Sequence, residues 1–334
     1  MAQISTVEKL FTVIDNTAVV LKEELSCTYL EAVAETGENL FQNTILQEEL
    51  SEISKKRLEK EYSHIQLKQC TAEEIRKAYQ LAALKGMKEA TQPNHEMTPD
   101  AVSIFLGYLV SKFTEGWKEF SIFDPAVGTG NLLTTVLNQN QSKDIEAYGI
   151  DVDDLLVKVA YVSANLQQHS IQLFNQDSLG PLYIDPVDVV VCDLPVGYYP
   201  NDVGAANFEL RAKEGHSYAH HLFIEQSLKY TKAGGYLFFL VPNHLFTSDY
   251  AKELNGFLKE HSVIQGMLQL PLSLFKNERS AKSIFIIQKK GTGVEAPKQA
   301  LLANLPKFSN QAAMSGIIQQ IDEWFKQEKH GMKQ

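Results

Sequence analysis

The sequence predicts an α/β fold in which a parallel sheet follows a helical layer. Four short apolar segments recur between residues 121 and 192, and each is followed by a polar or acidic residue. A glycine-rich turn separates the first segment from an amphipathic helical pattern. Residues 1–93 instead contain few glycines and many Glu, Lys, Gln and Leu, a composition typical of helices. We therefore predict a smaller N-terminal helical domain and a larger α/β domain.

Composition limits the class of protein. The 334 residues suffice for one large domain and a smaller one, and 44% of them are hydrophobic. No window has the roughly 18 uninterrupted apolar residues of a membrane span, and the first residues lack the pattern of a secretory signal. Cys27, Cys70 and Cys192 form no CxxC pair. We therefore expect a cytoplasmic protein without a zinc site or a membrane contact.

The net charge argues against autonomous DNA binding. It is −10 at pH 7, whereas duplex DNA is a polyanion whose binding normally requires clustered Lys and Arg. Local basic groups occur at Arg211 and Lys213 and again at Lys276, Arg279 and Lys282. We interpret both groups as solvated surface. A nucleic-acid substrate would therefore require a partner that supplies recognition.

The N-terminal layer contains two helical patterns. Thr71 and Glu74 have the spacing of a capping box at a helix start. The helix that follows carries an apolar stripe, formed by Ile75, Ala78, Tyr79, Ala82 and Met87. The stripe must be covered, either by the α/β domain or by a second copy of the chain. A further helix is predicted from Leu46 to Leu58, with the basic residues 55–57 on its solvated face.

Residues 92–95, Gln-Pro-Asn-His, mark the predicted boundary between the helical layer and the α/β domain. A new helix begins soon afterwards. Thr98 is suited to the N-cap, Pro99 to the first helical position, and Asp100 complements the positive end of the helix. The first strand, residues 121–123, follows this helix.

The segment from Asp124 to Asn131, Asp-Pro-Ala-Val-Gly-Thr-Gly-Asn, joins the first strand to a helix. Gly128 and Gly130 let the backbone turn without a Cβ and let a ligand approach the main chain. A dinucleotide fingerprint would have a small residue at position 133, where this chain has Leu133. Asp124 suits an ammonium or sulfonium group better than a pyrophosphate. The turn therefore predicts a cationic ligand.

Polar residues also follow the next three strands. Residues 145–150 form the second predicted strand, which ends at Asp151, about 20 residues after the glycines, where a carboxylate can bind both ribose hydroxyls. The third and fourth strands are followed by Asp177-Ser178 and by Asp193. Because parallel strands end at one edge of a sheet, these residues predict a ligand site along that edge.

These motifs resemble those of class I S-adenosylmethionine (SAM) methyltransferases, and more narrowly those of the N6-adenine DNA methylase family. The resemblance is to the modification subunits of type I restriction systems and to YtxK-like proteins, and covers roughly residues 94–290. It implies a Rossmann-like seven-stranded sheet with helices on both faces and the last strand antiparallel. The predicted domains are then residues 1–93 (helical), 94–290 (methyltransferase) and 291–334 (a charged tail with a short helix).

The resemblance also implies that SAM is the cofactor. Thr98, in His-Glu-Met-Thr-Pro, then covers the methionine end of SAM, although a simple helix cap is the alternative. Asp124 faces the amino-acid end, and Asp177 and Ser178 lie near the adenine. The complete set of expected cofactor residues is Thr98, Asp124, Ala126, Gly128, Gly130, Asn131, Asp151, Val152, Asp177, Ser178 and Asp193.

Asp193-Leu194-Pro195-Val196 is the expected catalytic segment, where family members carry Asn or Asp, two prolines and an aromatic residue. An amine conjugated to a purine ring is a poor nucleophile. The Asp193 side chain and the Leu194 carbonyl would accept its two N–H bonds and offset the charge that develops on methyl transfer. Pro195 would hold the turn rigid. Val196 departs from the family pattern, because a ring that stacks on the base is expected there.

Residues after Val196 are candidates for substrate binding. Tyr198 and Tyr199 either replace the missing ring through a shifted loop or pack inside the protein. Residues 197–217 lack periodicity and are typical of a lid, and Phe208 within them is a candidate to enter the site. Three histidines could suggest a metal site, but no matching carboxylate pattern accompanies them. We therefore interpret His216, His220 and His221 as polar residues at a helix start.

Three functions are compatible with this sequence. The first is N6-adenine methylation of nucleic acid, with a specificity partner or a homodimer formed through the N-terminal helices. The second is methyl transfer to an amine or amide of a protein, an RNA or a small molecule. The third is a SAM-binding regulatory protein without catalysis. Asp193-Leu194-Pro195 favours the first two functions, whereas Val196 and the negative charge weaken the first.

Overall fold

The computed structural model describes residues 5–89 and 97–331 of the chain, which contain eleven α-helices and eight β-strands. The helices are α1 (Thr6–Leu25), α2 (Tyr29–Gln42), α3 (Glu52–Tyr62), α4 (Ala72–Glu89), α5 (Asp100–Phe113), α6 (Asn131–Gln139), α7 (Asp154–Leu166), α8 (Asp202–Ala205), α9 (Ala219–Lys229), α10 (Ala251–His261) and α11 (Gln311–Gly331). The strands are β1 (Glu119–Asp124), β2 (Asp144–Asp151), β3 (Ile171–Asn175), β4 (Val187–Asp193), β5 (Thr231–Pro242), β6 (Ser262–Gln269), β7 (Lys282–Lys289) and β8 (Leu301–Asn304). The α/β class is confirmed.

The chain forms two compact units. The first comprises the described parts of Met1–Tyr108 and Val127–Asp177. The second comprises Leu109–Ala126 and the described part of Ser178–Gln334. None of the helices within the described ranges is both long and apolar enough to span a lipid bilayer.

An apolar core joins α1, α2, α4 and α7 in the first unit. The stripe predicted in α4 is buried there, with 5% exposure or less at Ile75, Ala78, Tyr79 and Ala82. A Cβ at Gly37 of α2 would lie 2.3 Å from Cγ1 of Val162, so glycine permits α2 and α7 to pack closely. The same unit contains β2 and β3, paired in parallel. The stripe is therefore covered within the chain rather than by a second copy.

Helix starts in the first unit differ from the predictions in two places. The capping box at Thr71 is confirmed, since its Oγ1 accepts the N–H of Glu74 at 3.2 Å. The helix predicted from Leu46 is wrong at its start, because Ser51 caps α3 and its Oγ accepts the N–H of Ser54. The start of α5 is predicted one residue too early. The helix begins at Asp100, not at Pro99, and the Pro99 carbonyl accepts the N–H of Ser103 at 3.0 Å, so Pro99 rather than Thr98 precedes the first helical residue. The boundary predicted at residues 92–95 lies outside the described residues.

The second unit contains six strands in the order β1-β4-β5-β7-β6-β8. The first three are parallel neighbours, whereas β7 runs antiparallel to both β5 and β6, as predicted. The predicted number of seven strands is wrong. Strand β8, in the tail, pairs in parallel with β6, and its four residues are too few for alternation to identify a strand from sequence.

Helix α11 extends the predicted short tail helix and packs on the second unit. The rings of Trp324 and Phe325 lie 5.9 and 4.9 Å from the ring of Phe113. The indole N–H of Trp324 donates to the carbonyl of Gln299 at 2.7 Å. The tail is thus part of the folded unit, because its aromatic side chains bury apolar area that a charged tail would not.

Candidate functional site

The glycine turn has the geometry that its sequence predicts. Gly128 and Gly130 have φ values of +51° and +77°, in the left-handed region that favours glycine. A Cβ on Gly130 would lie 3.2 Å from the Cβ of Ala160 in α7, whereas nothing lies within 4 Å of a Cβ on Gly128. Gly130 therefore permits close packing of the turn on α7. Gly128 leaves open space beside the backbone, which a ligand can fill.

Asp151 lies at the end of β2 and is fixed against this turn. Its Oδ2 accepts the N–H of Gly128 at 2.9 Å, and its Oδ1 accepts the N–H of Asp153 at 3.0 Å. Each carboxylate oxygen has a second lone pair, so the half-buried group can still accept hydroxyl hydrogens. Val152, which follows it, is 68% exposed. The structure thus places Asp151, the residue expected to bind a ribose, next to the glycine turn.

The other expected cofactor residues of the first unit differ in exposure. Thr98 is buried just before α5, and Asp177 is exposed after β3. Asn131, the first residue of α6, is 6% exposed, and its Oδ1 accepts a hydrogen bond from Nη1 of Arg76 at 2.7 Å. Sequence reasoning missed Arg76. Its spacing of three residues before Tyr79 was the available signal, because that spacing places a residue on the same helix face.

In the second unit, Asp124 is nearly inaccessible, with 1% exposure, and its Oδ1 accepts the N–H of Ala126 at 3.1 Å. Ser178 is also buried and donates to the carbonyl of Pro125 at 2.5 Å. Burial raises the pKa of the Cys192 thiol well above its usual value, and the carboxylates of Asp124 and Asp193 raise it further. The ends of β1 and β4 therefore place Asp124 and Asp193 near one neutral thiol.

The predicted catalytic segment, Asp193-Leu194-Pro195, continues directly from β4. Asp193 is opposite Leu240 of β5, and the N–H of Leu194 donates to the carbonyl of that residue at 3.2 Å. Leu194 is buried, whereas Val196 is 43% exposed. Gly197 has a φ of +135°, and a Cβ there would meet nothing within 4 Å. The chain therefore leaves the sheet at Asp193 and turns into open space two residues after Pro195.

Lys282 forms an ion pair with Asp193. Its Nζ lies 2.5 Å from Oδ1 of Asp193, and the two side chains are 24% and 18% exposed. The interpretation of Lys282 as solvated surface is therefore wrong. Lys282 begins β7, which is two strands from β4 in the sheet. No local sequence pattern predicts that it lies beside Asp193.

The aromatic candidates take different positions. Tyr198 is 63% exposed, and its ring stacks on that of Tyr218 with centroids 5.1 Å apart and planes 13° apart. Tyr199 is buried. Phe208 is 5% exposed beneath Nζ of Lys229, which lies 4.3 Å from the ring centroid. The structure thus buries Phe208, which was expected to enter the site, and exposes only Tyr198 of the three rings.

Two histidines of α9 are buried. His220 and His221 are 2% and 1% exposed. Burial lowers the pKa of His220 to about 3 and that of His221 to about 4. Both imidazoles are therefore neutral at pH 7. Across residues 5–89 and 97–331, no group of three or more His, Cys, Asp or Glu side chains is arranged to hold a metal ion.

Two family models match the chain. The model of the YtxK N-terminal helical domain matches residues 8–87. The model of the N-6 DNA Methylase matches residues 89–333, which is more than half of the chain. The two matches follow each other along the sequence without overlap.

The chain is also similar to individual proteins. The uncharacterized protein YtxK of Bacillus subtilis strain 168 is 53% identical over 320 residues, which cover 96% of this chain and 97% of that protein. The protein in a crystal structure described as a proposed class I SAM-dependent methyltransferase from Listeria monocytogenes is 48% identical in sequence to this chain. The two structures match with a TM-score of 0.89, over 96% of this chain and 99% of that one. The type I restriction-modification methyltransferase subunit from Streptococcus thermophilus is 16% identical in sequence. Its structure matches with a TM-score of 0.64, over 96% of this chain and 74% of that one. That last likeness shows a shared fold alone.

Proposed function

Because the chain belongs to the N-6 DNA methylase family, we propose that it is a SAM-dependent methyltransferase that methylates the exocyclic N6 amine of adenine in nucleic acid. The observation that carries this proposal is the end of β4. There Asp193-Leu194-Pro195 leaves the sheet, and the Asp193 carboxylate is paired with Lys282 at 2.5 Å. An amine substrate requires oriented acceptors of this kind.

The residues of the first unit fit SAM. Open space beside Gly128 admits a nucleoside close to the backbone. The Asp151 carboxylate, oriented by two backbone N–H groups, would accept the ribose hydroxyls. The other proposed contacts of this unit are Thr98, Gly130, Asn131, Val152 and Asp177. Bound SAM would supply an electrophilic methyl group on a positively charged sulfur.

Further residues proposed from the sequence as cofactor contacts belong to the second unit. Asp124 would hold the amino-acid end, with Ala126 and Ser178 as further contacts. Asp124 is nearly inaccessible, so its carboxylate would act in a medium of low polarity. Attraction to a cationic group is stronger there than at the surface.

Asp193 and Leu194 would act on the acceptor amine. Their side-chain and carbonyl oxygens would accept its two N–H bonds and direct the nitrogen lone pair out of conjugation with the ring. The same oxygens would offset the positive charge that develops on the nitrogen. A strong base is not required, because the methylated amine loses its proton afterwards. Pro195 would restrict the backbone of this turn.

The acceptor base needs a surface to stack on. Val196 supplies no ring, but Tyr198 is exposed and is held by its stack on Tyr218. We therefore propose Tyr198 as the stacking residue, with Val196 at the edge of the base. Tyr199 and Phe208, both buried, would support the loop from inside. Because the net charge is −10, a partner protein would supply most of the contact with DNA phosphates.

Methyl transfer to nucleic acid can be measured directly. The purified chain is incubated with methyl-labelled SAM and unmethylated DNA or RNA, and genomic DNA from cells with and without the gene is analysed for N6-methyladenine. The proposal predicts label on adenine N6 and its loss in the Asp193→Ala variant. Intact SAM binding with no label on any nucleic acid would contradict adenine methylation.

A second candidate acceptor is an amine or amide of a protein or small molecule. The observations that favour it are Val196 in place of an aromatic residue and the negative net charge. The same labelled SAM, incubated with a cell lysate treated with nuclease, distinguishes the two candidates. Label that remains in protein or in small molecules supports the second candidate.

A further inference from the structure

Arg76 of α4 is buried and satisfies its whole guanidinium group within the first unit. It is 1% exposed. Its Nε and Nη2 donate to Glu73 at 2.7 Å each, Nη2 also donates to Asp100 at 2.6 Å, and Nη1 donates to Asn131 at 2.7 Å and Gln80 at 3.4 Å. These contacts use all of the donors that a guanidinium offers. The side chain is therefore fixed in position.

Two of these partners begin helices that lie next to proposed cofactor residues in the chain. Asp100 is the first residue of α5 and lies two residues after Thr98. Asn131 is the first residue of α6 and directly follows Gly130 of the glycine turn. Because a guanidinium is planar and rigid, its contacts fix the spacing between these two helix starts.

A second contact strengthens the same connection. Glu73, which receives two bonds from Arg76, also accepts the side-chain N–H of Asn138 in α6 at 3.3 Å. Lys77 lies 3.4 Å from the other oxygen of Glu73. The negative charges of Glu73 and Asp100 are thus offset by Arg76 and Lys77. Helix α4 therefore contacts α6 at two points, at Asn131, where α6 begins, and at Asn138, two turns later.

We propose that Arg76 is a positioning residue for cofactor binding. The identity of that cofactor as SAM rests on the proposed function. Arg76 holds Thr98 and the glycine turn at the spacing that SAM requires, although it belongs to the segment that matches the YtxK N-terminal helical domain. The N-terminal helices are then part of the framework of the cofactor site. Loss of Arg76 loosens both helix starts and lowers SAM affinity.

Three variants of the full chain test this role. Arg76→Met removes every contact, and Arg76→Lys keeps the charge but cannot reach Glu73, Asp100 and Asn131 together. Lys158→Met is the matched control, because Lys158 of α7 pairs with Glu35 of α2 at 2.5 Å and touches neither helix start. We expect the SAM dissociation constant from calorimetry to rise at least ~10-fold in Arg76→Met and less in Arg76→Lys, with the control within about twofold.

Hydrogen exchange without SAM tests the positioning itself. Amides of residues 98–103 and 128–134 should exchange about 10-fold faster in Arg76→Met or, if that variant does not fold, faster in Arg76→Lys, but not in Lys158→Met. Unchanged exchange at both segments would overturn the role of Arg76, as would unchanged SAM affinity in folded variants. A parent chain that fails to bind SAM would overturn the proposed function, while the exchange result would still decide whether Arg76 fixes the helix starts.

Discussion

The ammonium of Lys282, at the start of β7, lies 2.5 Å from Oδ1 of Asp193, at the end of β4. Strand β5 separates their two strands in the sheet. The pair is only partly exposed, so solvent screens it less than a surface pair. Lys282 therefore holds the carboxylate at the point where the chain leaves the sheet.

Asp193 and Lys282 should therefore act as a coupled pair in turnover. We expect Asp193→Ala to lower turnover by ~100-fold or more, as for loss of one oriented transition-state contact, with SAM affinity close to that of the parent. Lys282→Met should lower turnover by roughly 10-fold, because it leaves a half-buried carboxylate without its cation. Asp193→Asn serves as the second single variant of a double-mutant cycle, and the Asp193→Asn/Lys282→Met double variant should lose less turnover than the two single losses combined. Additive effects in the double-mutant cycle would show that the pair is not coupled.

Asp151 should be needed for SAM binding. Asp151→Ala removes a charged acceptor that two backbone N–H groups orient, which costs on the order of 1.5 to 3 kcal/mol, or roughly 10- to 150-fold in the dissociation constant. Calorimetry measures this change. Asp154→Ala is the control, since Asp154 is exposed in the first turn of α7. Equal SAM affinity in the two variants would contradict the role of Asp151.

A ring at position 196 should favour adenine. Val196→Phe adds a stacking surface at an exposed position, and base stacking contributes ~1 to 3 kcal/mol. We expect a lower KM for an adenine-containing oligonucleotide. Val203→Phe adds the same ring at a residue that is 84% exposed in the short helix α8, seven residues further along the chain. A similar response of the two variants, or none, would argue for an acceptor other than nucleic acid.

Stability should depend on pH through His220 and His221. Burial lowers their folded-state pKa values to about 3 and about 4, below the ordinary value near 6.5. At a pH between the folded-state and the ordinary pKa values, the unfolded chain binds more protons than the folded chain. Stability therefore falls as pH decreases from about 6.5 toward 4. Each histidine should lower the free energy of unfolding by about 2 kcal/mol between pH 7 and 5. Denaturant unfolding of His220→Gln should show a smaller decrease, and an unchanged pH slope would contradict this origin.

The N-terminal helices should be required for solubility. Deletion of residues 1–89 removes the cover of α7 and exposes apolar side chains that are now buried, Leu156, Val159, Val162 and Leu166. A patch of this kind promotes aggregation. Size-exclusion chromatography with light scattering measures the result. A soluble, monodisperse fragment that binds SAM would show that the layer is dispensable.

The order of strands and helices could be predicted from local pattern. Glycines at positions 128 and 130 require unusual backbone angles, and apolar runs of five to eight residues bounded by acids identify most strands. Acids at strand ends, Asp151 and Asp193, follow from the same pattern. Errors occurred where the pattern is short or ambiguous, as at β8 and at the start of α3.

The sequence by itself determined the α/β class, the glycine turn and the residues at the strand ends, because each depends on side chains close together in the chain. Only the tertiary structure decided the partners of the buried charges. Arg76 meets Asn131 across 55 positions and Lys282 meets Asp193 across 89. A charged residue looks the same in sequence whether it is solvated or paired. Its burial is decided by how distant helices and strands pack, since a charge leaves water only where a partner is already placed to offset its desolvation.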